Sequence, residues 1–169
     1  MRFFESLAVH HSASPLWTKA PDLVKWHTDP RPLTRGRWKY MRKIYASLES
    51  LPASVRGREG RGWDHVGYHW AIERDGRIVA MLNPVMAGYH ALRMNANTLA
   101  VCVVGNNEKT KDRWRAVQLA SLLSLVDALI VVVPDINTAG HRDLAPGHTA
   151  CPGLDVGKLL ASRRLPWAA

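Results

Sequence analysis

Near the start the chain reads Ala8-Val9-His10-His11-Ser12-Ala13-Ser14, and near the end Gly140-His141-Arg142-Asp143-Leu144-Ala145-Pro146-Gly147-His148-Thr149-Ala150-Cys151-Pro152-Gly153. Imidazole nitrogen and thiolate sulfur are donors that suit zinc. Two histidines and one cysteine fill three tetrahedral positions and leave the fourth for water or substrate, as in a catalytic rather than a structural site. That donor set points to hydrolysis. Each half alone is a weak signal, since a His-His pair ends many ordinary strands and a Pro- and Gly-rich turn is often only a loop. The cysteine adds weight. It stands ten residues after His141 and directly before Pro152, whose ring restricts its own torsion and that of the residue before it.

Such donors need a frame that brings the two ends of the chain together. Residues 3–10 read as a first strand, imperfect at Glu5 and Ser6, with the His-His pair at its end. Residues 68–74 alternate, with Tyr68, Trp70 and Ile72 on one side and His69, Ala71 and Glu73 on the other. Asp75-Gly76 is a strong hairpin signal leading into a strand at 78–82. The near-continuous apolar run 98–105 suits the middle of a sheet. From Asp112, Trp114, Val117, Leu119, Leu122, Leu125, Val126 and Leu129 recur at helical spacing. A short strand near 136–139 would then deliver His141 beside the first strand. Residues 22–27 form a short helix opened by Pro21, with Leu23 and Trp26 on one face, and 155–162 a last one.

The 169 residues, 47% hydrophobic and 22% charged, suit one folded domain. No apolar stretch is long enough for a membrane span, because Ser121, Ser124 and Asp127 interrupt the longest. The first residues lack a signal-peptide pattern, so we expect synthesis in the cytoplasm. Cys102 sits in an apolar strand and reads as a small core residue.

A formal charge of +9 implies attraction to something negative. Nucleic acid and a bacterial envelope both qualify, but no paired-cysteine finger or basic zipper supports specific nucleic-acid binding. Much of the charge is local. Residues 31–61 carry Arg31, Arg35, Arg37, Lys39, Arg42, Lys43, Arg56, Arg58 and Arg61 against Glu49 and Glu59. Trp38, Met41, Tyr45 and Leu48 fall at helical spacing there, so the segment reads as a basic helical insertion. Its basic face is either simply solvated or an anionic-envelope contact.

Four blocks run across most of the chain: AVHHSAS from Ala8, GYHWAIERDG from Gly67, GYHALRMNANTLAVCVVGN from Gly88 and GHRDLAPGHTACPG from Gly140. In these blocks the chain resembles the zinc-dependent N-acetylmuramoyl-L-alanine amidases of phage lysozymes and animal peptidoglycan-recognition proteins. The resemblance implies an α/β fold, a single domain with a central mixed sheet flanked by helices and one zinc ion in a surface groove. It implies cleavage of the peptidoglycan amide between N-acetylmuramic acid and L-alanine, in a phage endolysin that acts on the cell wall after release. A wall-recycling amidase and a non-catalytic peptidoglycan-binding protein are the alternatives, the second usually marked by loss of the cysteine ligand.

The same resemblance assigns the metal ligands as His10, His141 and Cys151. The two-residue period of a strand turns His11 to the opposite face. Tyr68 matches a tyrosine that the family places near the zinc. Thr149 stands where many phage members carry lysine, and its hydroxyl can still donate a hydrogen bond to an oxyanion. His148 can supply a proton if it turns inward. Cys102 occupies the place where other relatives carry a glutamate, which sets this chain with the tyrosine-using branch. His90 aligns with a groove histidine expected to contact the peptide stem, and His69 and Asn97 are further candidate substrate contacts. Asn95, Asn97 and Asn106 either cap turns or contact sugar. Replacing Arg37, Lys39, Arg42 and Lys43 by Gln is expected to weaken association with isolated wall or anionic vesicles at low salt; unchanged partitioning would remove the envelope role.

Overall fold

The computed structural model describes residues 4–29, 61–91 and 93–162. The chain divides into two compact units, Met1–Ala20 with Gly67–Ala169, and Pro21–Val66. Apart from Arg61, the basic segment 31–61 lies outside the described residues.

The first unit is built on a five-stranded mixed sheet of β1 (Ser6–His11), β2 (Trp70–Ile72), β3 (Ile78–Ala80), β4 (Thr98–Val103) and β5 (Asn137–Gly140), in the order β3-β2-β4-β1-β5. β1 runs parallel to β4 and β5, β2 runs parallel to β4, and β3 is antiparallel to β2. The described helices are α1 (Ala20–Thr28), α2 (Ala116–Val132), α3 (His141–Leu144) and α4 (Val156–Ser162), with a 3-10 turn at Thr110–Asp112. No helix among the described residues is long and apolar enough to cross a membrane.

All six residues of β4 are buried, as are all six of β1, which is what an uncharged strand covered on both faces requires. Leu7, Val9, Leu99, Val101, Val103 and Ile72 pack with Leu119, Leu122, Leu125 and Val126 of α2 and Val156 and Leu159 of α4. Each such side chain contributes roughly 1.5–3 kcal/mol when fully buried. The alternate positions carry Ser6, Ala8 and His10, paired in register with Thr98, Ala100 and Cys102. Strand alternation turns these six to the opposite face. Most are small, so there is room above them for a loop that carries histidines.

Several boundaries differ from the sequence reading. β1 begins at Ser6, because the Glu5 and Ser6 amides donate to the Asn97 carbonyl (2.9 and 3.4 Å) outside the regular ladder. The Asp75-Gly76 turn forms: Glu73 N–H donates to the Arg77 carbonyl (3.0 Å), and Gly76 takes φ +86°, where an added Cβ would meet Val117 Cγ2 at 2.7 Å. α2 starts at Ala116 rather than Asp112, since the Trp114 amide is drawn to Asn107 Oδ1 (3.1 Å) and the Arg115 amide to Gln118 Oε1 (2.9 Å). Val117 is 44% exposed, and Gln118 faces inward in its place. Its amide donates to the carbonyls of Val104 (2.8 Å) and Ile72 (3.4 Å), which close the ends of two strands.

The second unit contains most of α1. Arg61, Gly62 and Trp63 donate backbone hydrogen bonds to Trp26, Asp29 and His27, and the His27 ring packs 4.7 Å from that of Trp63. Burial, helped by the Arg61 charge, lowers the His27 pKa to about 4. Leu23 is buried while Trp26 is 41% exposed, so the two do not share a covered face.

Glu73 is fully buried beside the hairpin turn. It accepts hydrogen bonds from the Ala20 amide (2.8 Å), Arg77 Nη2 (2.8 Å) and Lys19 Nζ (3.1 Å). Burial pushes its pKa up, but the Ala20 amide and the two cations outweigh that and hold it below the usual carboxylate range. A depressed carboxylate stabilises the fold above its unfolded pKa and loses that contribution as pH falls through the folded one. Glu73→Gln is therefore expected to cost about 2 kcal/mol at neutral pH, measured by denaturant unfolding. The gap between wild type and variant should close as pH drops through the carboxylate range; a gap independent of pH would contradict this.

Candidate metal centre

The sheet register brings the donors together. β1 pairs Val9 with Gly140 of β5 on one side and His10 with Cys102 of β4 on the other. His141, the first residue of α3, therefore emerges beside His10, and their ring centroids are 4.4 Å apart. Cys151 Sγ lies 3.7 Å from His10 Nδ1. One donor atom from each of His10, His141 and Cys151 lies within 4.8 Å of the others. Zinc bonds of 2.0–2.3 Å separate tetrahedral donors by about 3.3–3.8 Å, so a small contraction would complete the site.

Local sequence explains why Cys151 stays there. The Arg142 amide, next to the ligand histidine, donates to the Cys151 carbonyl (2.7 Å). Asn107 Nδ2 donates to the Pro152 carbonyl (2.8 Å), and the Cys151 amide to Thr149 Oγ1 (3.1 Å). The Cys151–Pro152 peptide is cis. Gly140 is required by packing: a Cβ there would meet Pro152 Cδ at 2.8 Å and Asp143 Oδ2 at 2.9 Å. Asp143 in turn accepts the Gly140 amide (3.0 Å). The Gly-His-Arg-Asp run thus supplies a candidate donor, its turn and two anchors.

His11 stands outside the donor set yet serves it. Its amide donates to Cys151 Sγ (3.3 Å), and its Nε2 lies 4.0 Å from Glu108 Oε1. Burial pushes the Cys151 thiol up to about 11, against the pull of the His11 amide and with a further push from Glu108. Burial also lowers the pKa of His141 and His11. Neutral imidazoles and an ionisable thiol are a donor set that a dication would complete, and its binding must displace the thiol proton.

Tyr68 is half-buried, with its ring 5.2 Å from that of His10. Its hydroxyl shares a hydrogen bond with Cys102. Cys102 is fully buried, and burial, then Cys151, keeps its thiol well above the ordinary range. Cys102 and Cys151 are both free thiols. Thr149 is half-buried, and because its oxygen accepts the Cys151 amide, its own proton remains available to donate. A groove of about 660 Å³ opens beside His141, lined by His90, Arg93, Met94, Leu144 and the exposed His148 among others.

Two expected substrate contacts are placed elsewhere. His69 is fully buried, its Nδ1 accepts the Ala100 amide (2.9 Å) and its Nε2 meets the Met86 carbonyl (3.1 Å). Both ring nitrogens tie loops to the sheet, so it is a core residue. Asn97 lies just before β4, where its side chain donates to Glu5 (3.1 Å), with four register pairs between it and the pair that joins His10 and Cys102. It joins the starts of two strands, remote from the donors. Asn95 and Asn106 cap turns: Asn95 Oδ1 accepts the amides of His90 and Ala91, and Asn106 Oδ1 that of Glu108. Sequence reasoning missed Asn107 as an anchor and Arg93, Met94 and Leu144 as groove residues. None carries a spacing signal, and only the Gly88 and Gly140 blocks hinted at the neighbourhood.

The sequence profile of the N-acetylmuramoyl-L-alanine amidase family matches residues 4–154. The endolysin of Enterobacteria phage T3 is 35% identical over 99 residues, which are 57% of this chain and 64% of that protein, so the chain spans just under two thirds of that relative. The endolysin of Klebsiella phage KP32 is 32% identical over 122 residues, 67% of this chain and 80% of the relative. Among solved structures, the Ph2119 endolysin from Thermus scotoductus MAT2119 bacteriophage Ph2119 superposes with a TM-score of 0.68 at 21% identity. That likeness covers 96% of this chain and 86% of the other, and it shows a shared fold.

Titrating zinc into the metal-free chain at neutral pH is expected to release about one proton per site, because the Cys151 thiol must ionise. Calorimetry in two buffers of different ionisation enthalpy reads this. His11→Ala should retain binding while His10→Ala and Cys151→Ser lose it; the opposite pattern, or uptake without proton release, would contradict the donor set.

Proposed function

The chain belongs to the N-acetylmuramoyl-L-alanine amidase family, and from that premise we propose that it hydrolyses the peptidoglycan amide joining the lactyl group of N-acetylmuramic acid to L-alanine, as a phage endolysin reaching the wall after release. The observation that carries this reading is the convergence of His10, His141 and Cys151 beside an open groove. Loss of the cysteine is the usual mark of relatives that only bind peptidoglycan, and Cys151 is present here.

A zinc ion held by these residues would polarise the scissile carbonyl and bring the pKa of a water toward about 7. The protein's own groups do the rest. Tyr68, beside His10, directs its hydroxyl at the developing oxyanion or at the attacking water. Thr149 offers a second neutral donor without the charge of a lysine, and charged hydrogen bonds are roughly twice as strong as neutral ones. The leaving amine needs a proton, and His148 is exposed on the groove wall with its ring free of hydrogen bonds among the described residues. Arg93, also on the wall, complements the carboxylates of a peptide stem. The basic segment 31–61 supplies attraction to phosphate and carboxylate groups of the envelope.

The test is digestion of purified peptidoglycan with and without chelator, reading new N-terminal L-alanine against new reducing sugar ends. We expect N-terminal alanine, abolished by the chelator and restored by zinc; reducing ends would mean glycosidase chemistry and overturn the assignment. Tyr68→Phe should lower turnover roughly a hundredfold, the loss typical of one oxyanion donor, with zinc retained. Undiminished turnover would remove Tyr68 from the mechanism.

A further inference from the structure

We infer that His90 is a positioning residue for the metal ligand His10, which it holds in the tautomer that presents Nδ1 to the ion, rather than a contact for substrate. The inference rests on the reading of His10, His141 and Cys151 as a zinc site.

Proton positions link the two rings. His90 Nε2 lies 3.3 Å from the Thr98 carbonyl oxygen, and His90 Nδ1 lies 3.3 Å from His10 Nε2. A carbonyl oxygen can only accept, so His90 carries its proton on Nε2. A neutral imidazole protonated there has a bare Nδ1, which can only accept. His10 must then carry its own proton on Nε2, and its Nδ1 lone pair is left uncovered. That Nδ1 is the atom 3.7 Å from Cys151 Sγ. A backbone carbonyl on β4 thereby sets the tautomer of a ligand on β1 through one intervening ring. Outer partners of this kind orient a ligand histidine and raise its basicity.

The loop carrying His90 is built to place that ring. Asn95 Oδ1 accepts the amides of His90 (3.1 Å) and Ala91 (2.9 Å), and the Tyr89 amide donates to the Gly67 carbonyl (3.1 Å). Gly88 tolerates no side chain, since a Cβ would stand 2.2 Å from the Gly67 oxygen and 2.9 Å from His90 Cδ2. The His90 and His10 rings meet edge to face at 81°. His90 borders the groove, but both of its nitrogens are engaged on the protein side, which leaves only carbon edges for a ligand.

The test compares His90→Leu with His90→Asn, whose Oδ1 can take the place of Nδ1 as acceptor. Zinc affinity is read by competition with a chelating indicator, and the thermal unfolding of each metal-free protein controls for folding. We expect His90→Leu to weaken zinc binding about 10- to 100-fold, with His90→Asn recovering most of the loss and KM for peptidoglycan unchanged. Unaltered zinc affinity with a raised KM in His90→Leu would overturn the inference in favour of substrate contact. If His90→Leu does not fold, long-range proton–nitrogen NMR of the zinc-loaded wild type decides: a proton on His90 Nε2 and none on His10 Nδ1 supports the relay, and a proton on His90 Nδ1 overturns it. Wild-type protein that binds no zinc would sink the metal reading itself, and the inference with it.

Discussion

The candidate centre depends on the parallel pairing of β1 with β4 on one side and β5 on the other. A strand has a side-chain period of two, so a slip of one residue would turn His10 toward α2 and carry Val9 into the groove. Leu7 and Val9 prevent that slip, because both are fully buried against Leu119, Leu122 and their neighbours. The hydrophobic core therefore sets where the candidate donors sit. With the register held, His141 follows Gly140 out of β5 and meets His10 without a long connection.

The third donor comes from a turn, and main-chain hydrogen bonds hold it. The carbonyls of Cys151 and Pro152 are bound by the Arg142 amide and the Asn107 side chain, and the sulfur by the His11 amide. Cys151 is thus tied to the chain neighbour of each candidate histidine donor: Arg142 beside His141 and His11 beside His10. Burial there raises the Cys151 thiol and lowers the pKa of His141. A cation entering such a site takes the place of the thiol proton. The small face formed by Ala8, Ala100 and Cys102 leaves space for Tyr68 and His90 beside the donors, so the sheet supplies both the ligands and the clearance around them.

Much of this is legible in the residues because the signals are local. The uncharged run at β4 reads as a central strand, Asp75-Gly76 reads as a turn, and the His-His and Gly-His-Arg-Asp runs read as ligands once the cysteine is counted with them. What is illegible depends on partners remote in sequence. Nothing around His69 reveals that its nitrogens will meet Ala100 and Met86, so a buried core contact looks like a groove residue. Asn97 looks like a sugar contact until Glu5 is seen beside it. The helical spacing through Val117 is real, yet the inward position goes to Gln118, because two strand-end carbonyls need a donor there and a valine has none. Asn95 and Asn107 act through side-chain hydrogen bonds to backbone, two each, which leave no periodic trace.

Two nitrogens and one sulfur are placed to meet at one cation with the fourth position open. X-ray absorption at the zinc edge of the loaded protein tests this most directly. We expect one sulfur at about 2.3 Å and two imidazole nitrogens near 2.0 Å, with a single further light atom. A shell without sulfur, or one closed by four protein ligands, would contradict it.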